Sequence, residues 1–225
     1  MKLSKRLECI ADCIAQIAVY DDKLADIGTD HGYLPCFLTG NKVISYAYAC
    51  DVAKGPLASS KETIAQNHVE KMVEPLLGNG LEPILDKDAT IICLAGMGGF
   101  LMEEILDAHL DELPMIKYVV VQANICIHVV RACLNRHGFK TKGEVMVEDA
   151  HHIYEVLIFE RGEEKLNEKQ LQFGPLLLEN KPALFYKKWQ YELAIQKRII
   201  PSLDPSMDRY KEVMAEITAI EAVLK

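Results

Sequence analysis

The stretch Asp26-Ile27-Gly28-Thr29-Asp30-His31-Gly32-Tyr33-Leu34-Pro35 puts two carboxylates, one imidazole and two glycines into the seven residues from Asp26 to Gly32. It follows the short apolar segment Lys23-Leu24-Ala25. Such residues make a poor core and a good ligand turn at the end of a buried strand. Glycine lets the backbone turn sharply and lets a ligand come close. The carboxylates bind hydroxyl groups or a cation. A dinucleotide turn carries three glycines, G-x-G-x-x-G, over a pyrophosphate. Here only Gly28 and Gly32 are present, and Asp30 would set like charge against the phosphates.

A phosphate-free, cationic cofactor suits this turn better. S-adenosylmethionine offers a sulfonium, an α-ammonium and a ribose diol. Asp51 follows Gly28 at the end of the next apolar segment, where a carboxylate accepts two hydrogen bonds from vicinal ribose hydroxyls. The other reading is a helix N-cap or a simple turn before Gly55-Pro56, and the matching first turn favours the ribose. Gly78-Asn79-Gly80 offers an amide that both donates to and accepts from a base edge. Ala95-Gly96-Met97-Gly98-Gly99, nearly all small, lets a planar group approach, or forms a plain strand-to-helix turn.

These residues need a frame. Apolar spacing predicts a helix over residues 4–18 with Ser4 as N-cap. Strands are predicted at Lys23–Ile27, Ser45–Asp51, Thr90–Leu94 and Tyr118–Val121. Helices are predicted at Tyr33–Leu38, Gly55–Val69, Phe100–Leu110 and His128–His137. Pro75–Gly78 is ambiguous. Ala95–Gly99 is expected to break its strand, and Gln122–Asn124 to form a turn. Glu144–Val147 and Tyr154–Phe159 read as two further strands without an intervening helix. Continuous apolar strands alternating with amphipathic helices mean a mostly parallel sheet covered on both faces, with an antiparallel hairpin at one edge. Ligands bind past the carboxyl ends of such strands, where the turns above fall.

Beyond Gly162 four prolines punctuate the chain. Phe185, Trp189, Leu193 and Ile200 form one helical stripe. Tyr210, Val213, Ile217, Ile220 and Leu224 form a heptad-like seam on another. A helical hairpin joined at Pro201–Pro205 is expected over 163–225, after a ligand-binding domain over 1–162. The net charge of −8 lies entirely in the first part, since residues 163–225 carry ten Lys/Arg against ten Asp/Glu. Nucleic acid would therefore meet only local basic patches, among them Lys5-Arg6 and Lys187-Lys188. Seven cysteines without a C-x-x-C pair point to reduced thiols and no structural metal. No apolar run is long enough to span a membrane. A soluble cytoplasmic protein is expected.

The motifs Asp26–Pro35, Asp51 with Gly55-Pro56, Gly78-Asn79-Gly80-Leu81, Ala95-Gly96-Met97-Gly98-Gly99, Gln122-Ala123-Asn124 and Tyr154-Glu155-Val156-Leu157 together resemble the TrmK family. These bacterial enzymes use S-adenosylmethionine to methylate N1 of adenine 22 in tRNA. The resemblance runs from Leu3 to about Gly162. It departs at Asn79, where the family often has Asp, and at Ala123, where it tends to have Pro. It implies a class I methyltransferase, an α/β Rossmann-like mostly parallel sheet with an antiparallel edge hairpin, plus a C-terminal helical coiled-coil arm that helps hold tRNA.

On this reading Asp26, Gly28, Thr29, Gly32, Asp51, Asn79, Gly80, Ala95, Gly96 and Met97 bind the cofactor. Asp30 accepts a hydrogen bond from the target base and His31 assists. Lys5, Arg6, Asn124, Tyr154, Lys187 and Lys188 contact tRNA. A monomer or weak dimer is expected. Competing readings are a methyltransferase of small molecules and a non-catalytic nucleotide-binding module.

Overall fold

A computed structural model describes residues 1–225. The chain divides into two compact units, Met1–Leu166 and Asn167–Lys225. The first begins with α1 (Lys5–Ile17), which Ser4 caps by accepting from the Leu7 amide. Then follow β1 (Lys23–Ile27), α2 (Tyr33–Gly40), β2 (Tyr46–Asp51), α3 (Lys54–Gln66), β3 (Val73–Leu77), β4 (Ile91–Gly98), α4 (Gly99–His109), β5 (Tyr118–Ile125), α5 (Ile127–Arg136), β6 (Phe139–Asp149) and β7 (His152–Arg161).

The seven strands form one sheet in the order β3-β2-β1-β4-β5-β7-β6. β1 to β5 pair parallel; β7 runs antiparallel to both β5 and β6. Side chains alternate between two cores, as strand geometry requires. Ala25, Ile27, Ile92 and Leu94 face one; Leu24, Ile91 and Cys93 face the other, with α1 residues Ile10 and Ile14. Burial on both faces explains the unbroken apolar runs. The crossover from β3 to β4 reverses the direction of strand addition, which opens a crevice at the carboxyl ends of β1 and β4.

The ambiguous segment at 75–78 resolves: residues 75–77 belong to β3 and Gly78 lies just past its end, and Pro75 is tolerated because β3 is an edge strand. Two expectations need correction. β4 does not break at Ala95: it continues to Gly98, and its register on β5 shifts around Met97. Gly96 lies in the left-handed region at φ +81° and absorbs the extra residue as a bulge. Gln122–Asn124 is no turn either. With β4 extended beside it, β5 runs on through Ile125.

The second unit contains α6 (Glu168–Phe173), α7 (Pro175–Asn180), α8 (Ala183–Ile199) and α9 (Asp208–Leu224). The first two are short and absent from the sequence reading. Their signals are an Asn167/Gln170 capping box and Pro175 at a helix start. Phe185, Trp189, Val213, Ile217 and Ile220 are buried, as the stripes predict. Val223 rather than Leu224 closes the last turn, where Lys181 donates to the Val223 carbonyl at 2.7 Å. No helix is long and apolar enough to cross a membrane.

The edge hairpin is tied to α5 by charge. Arg131 is fully buried and pairs with Glu144 on β6 at 2.8 Å and Glu155 on β7 at 2.6 Å. Removing the guanidinium leaves two carboxylates buried without its charge. Arg131→Met is therefore expected to cost about 3–5 kcal/mol in urea denaturation. A loss under about 1 kcal/mol would show that water reaches the glutamates.

Candidate functional site

The site is built on the turn after β1. The amides of Gly28 and Thr29 both donate to the carbonyl of Cys50, at 2.9 and 3.0 Å. The Gly32 amide donates to Thr29. The Asp30 amide points at Asp51 Oδ2, 3.4 Å away. In a pyrophosphate-binding turn these donors face the ligand; here they are committed within the protein. The turn is thus no anion cradle, and what it offers a ligand is carboxylate.

Gly28 has φ +73°, and a Cβ there would lie 2.2 Å from the Met97 methyl. The positive φ strains any side chain there, and the Met97 side chain, which lies across the turn, would have to move aside. Gly32 does a different job. At φ +68° it begins α2, and a Cβ there would come within 3.2 Å of Ser60 on α3. It shapes the turn without lining the cavity.

A cavity of about 260 Å³ opens beside the turn. Arg6, Asp26, Gly28, Thr29, Asp30, His31, Ala95, Gly96 and Met97 line it. So do three residues that the sequence reading does not place at a site: Leu7, Tyr33 and Leu34. Tyr33 stacks on His31 with ring centroids 5.1 Å apart and planes 17° apart, and both rings are exposed. Their i, i+2 spacing across Gly32 could have suggested the stack.

Asp26 is buried and accepts from the Thr29 hydroxyl at 2.7 Å. Burial pushes its carboxyl up to about 6, against bonds from Thr29 and Cys93 that hold it down. No cation pairs with it. Asp51, also buried, spends Oδ1 on the Ala53 amide at 2.8 Å. It therefore serves its turn, as one sequence reading held, yet a carboxylate keeps further lone pairs for hydroxyls.

Asp30 is the contrast. It adopts the left-handed region at φ +51°, a strained conformation for a residue with a side chain. Its carbonyl accepts from Ser60 Oγ at 2.7 Å. α2 has no side-chain cap, so Asp30 does not spend its carboxylate on the helix start. Its carboxylate is 67% exposed and lies 3.6 Å from His31 Nε2.

Arg6 reaches the cavity from α1. Its guanidinium donates to the buried amide oxygen of Gln122 and sits 5.7 Å from the Tyr154 ring centre. It is the one Lys or Arg among the lining residues. Lys5, its neighbour, is exposed. Asn124 ends β5 and donates to the Gly96 carbonyl at 2.8 Å. Asn79 and Gly80 follow β3, whose end is fastened to Asp51 by the Gly78 amide; neither lines the cavity. Lys187 and Lys188 lie on α8 in the second unit.

Elsewhere in the first unit, Asp107, Cys133 and His137 bring three potential metal-ligand atoms within 4.8 Å. These groups already engage one another and their neighbours. His137 is bracketed by Asp107 and Asp111 at 2.7 Å each, and Arg136 also pairs with Asp107.

A carboxyl whose folded pKa exceeds its unfolded value takes up protons on folding. Its ionisation lowers stability as pH rises through that window. For Asp26 the window runs from 3.8 to about 6. Asp26→Asn is expected to be more stable than the parent by about 2–3 kcal/mol above pH 6.5. The gap should close toward pH 4 in thermal denaturation. Equal stability at pH 7.5 would mean that Asp26 is not desolvated.

Comparison with known proteins adds to this geometry. Residues 24–223 match the family model described as TrmK: tRNA (adenine(22)-N(1))-methyltransferase. The chain is 33% identical over 233 residues to the tRNA (adenine(22)-N(1))-methyltransferase of Bacillus subtilis, covering 100% of this chain and 96% of that one. Among solved structures, B. subtilis TrmK superposes with a TM-score of 0.90 at 31% identity, covering 100% of this chain and 99% of that one. A putative tRNA (m1A22) methyltransferase of Streptococcus pneumoniae, in complex with S-adenosyl-L-methionine, does so with a TM-score of 0.90 at 30% identity over 100% of both.

Proposed function

The chain belongs to the TrmK family of tRNA (adenine(22)-N(1))-methyltransferases, and from that premise we propose how its own residues divide the work. The protein is an S-adenosylmethionine-dependent enzyme that methylates N1 of adenine 22 in tRNA. The observation that carries the assignment of roles is the turn after β1. The Gly28, Thr29 and Gly32 amides are spent inside the protein, and the turn presents a buried carboxylate without a cationic partner. That donor set suits a zwitterionic, phosphate-free cofactor.

Asp26 meets the cofactor's ammonium, whose positive charge offsets the desolvation of the carboxylate. Arg6, expected from sequence at a tRNA phosphate, lines the same cavity with its guanidinium unpaired by any carboxylate. We assign it to the cofactor's carboxylate. Asp51 accepts from the ribose hydroxyls, with Asn79 and Gly80 toward the adenine. Ala95, Gly96 and Met97 form the wall where the methyl is presented. Bound, S-adenosylmethionine supplies an electrophilic methyl group.

N1 of adenine has an in-plane lone pair, so no strong base is needed, but it lies on the pairing edge. The target base must leave its stack and enter the site. The exposed Asp30 carboxylate accepts from the N6 amino group, and that interaction strengthens as positive charge develops on the ring. His31, beside it, holds the base in place. Lys5, Asn124, Tyr154, Lys187 and Lys188 contact the tRNA. Residues 1–162 act as the methyltransferase domain and 163–225 as the tRNA-gripping arm. The enzyme works in the cytoplasm without a metal, as a monomer or weak dimer. The burial of Val213, Ile217 and Ile220 within the chain supports that reading, since the heptad-like stripe is already used inside the arm.

Incubation of the protein with unmodified tRNA and S-adenosylmethionine, followed by primer extension, is expected to halt reverse transcription at adenine 22. Read-through at every adenine would overturn the reading. In the same assay Asp30→Asn should lower turnover on the order of 10²-fold with cofactor affinity unchanged. Wild-type turnover by that variant would remove Asp30 from the chemistry.

A further inference from the structure

Gln122 is fully buried, and none of the roles above uses it. Its side-chain oxygen accepts from the Arg6 guanidinium. Its nitrogen donates to Asn124 Oδ1 at 3.1 Å, and Asn124 Nδ2 donates to the Gly96 carbonyl at 2.8 Å. The polarity of this chain is forced at both ends. Arginine has only donors to give, and a backbone carbonyl only accepts. Each amide must therefore accept on the Arg6 side and donate on the Gly96 side. The chain runs from α1, across β5, to the bulge of β4. It joins two walls of the cavity, Arg6 and Gly96. A Cβ on Gly96 would lie 3.3 Å from an Arg6 guanidinium nitrogen, so a side chain there would crowd the guanidinium.

We propose that Gln122 is a positioning residue for the cofactor: it aims the Arg6 guanidinium into the cavity while leaving its charge free for the cofactor's carboxylate. The inference rests on the assignment of Arg6 given above. A neutral amide is needed at this position. A carboxylate of the same shape would bind Arg6 just as well in geometry, yet it would neutralise the charge that the ligand needs. An apolar residue would leave the charge but lose the aim. The Asp149 carboxylate, which accepts from the Arg6 amide at 3.1 Å, holds the helix start, and the Tyr154 ring lies against the guanidinium. Gln122 is the hydrogen-bond acceptor for its Nη1.

Two ligands separate this role from general support of the fold. S-adenosylhomocysteine carries the amino-acid carboxylate; 5′-methylthioadenosine has the same nucleoside and lacks it. Calorimetric titration of the full chain is expected to show Gln122→Glu binding S-adenosylhomocysteine about 10-fold more weakly than the parent, a loss of one charge-assisted contact. Its affinity for 5′-methylthioadenosine should change less than about 2-fold. Gln122→Met, which keeps the volume, should show the same selectivity with a smaller loss, and it decides the matter should the Glu variant not fold. Equal weakening of both ligands, or no weakening of either, overturns the positioning role. Failure of the parent to bind S-adenosylhomocysteine at all would instead overturn the cofactor assignment, which keeps the two failures distinct.

Discussion

One carbonyl organises the site. Cys50, at the end of β2, accepts from the amides of both Gly28 and Thr29, so the turn leaving β1 is folded back onto its neighbour strand. The turn cannot then offer those amides to an anion. Its direction also drives the next residue, Asp30, into a left-handed conformation, held from one side by Asp51 and from the other by Ser60. With its backbone so fixed and no cap to make, the Asp30 carboxylate faces solvent beside His31. Asp26, still within β1, is left inside. Two acidic residues four apart thus end in opposite environments, one desolvated and one hydrated.

The separation matters because charge is costly to bury and weak when exposed. Asp26 is a buried carboxylate without a cation, and Arg6 faces the same cavity without an anion. A ligand carrying both charges relieves both. Arg131 shows the other solution used in this chain, a buried guanidinium saturated by two glutamates, which anchors the hairpin and leaves nothing for a ligand. Gln122 lies between these cases. Its amide is neutral, so it can direct a guanidinium without cancelling it.

Much of the frame is legible in the residues. Lys23–Ile27 and Ser45–Asp51 read as strands because they are apolar and β-rich, and the longer helices of both units follow from periodicity. The edge hairpin follows from two strands in succession. β3 was ambiguous because Pro75 is admissible only in an edge strand, and edge position is a property of the whole sheet. The extension of β4 through Gly98 was hidden because a glycine run reads as a break unless a neighbouring strand continues beside it. α6 and α7 are too short for periodicity to register.

The sequence by itself determined that a turn rich in carboxylate and glycine follows the first strand, that Asp51 ends the second, and that the motif set is that of the TrmK family. Those are local facts of residue type and spacing. Only the tertiary structure decided that Asp26 is desolvated and Asp30 exposed, that Arg6 from the first helix enters the cavity, and that Gln122 aligns it. Each of these depends on contacts between elements far apart in the chain, such as Arg6 with Gln122. Periodicity carries no information about which distant side chains share a wall. The carboxylates were visible from the start; their division of labour came from packing.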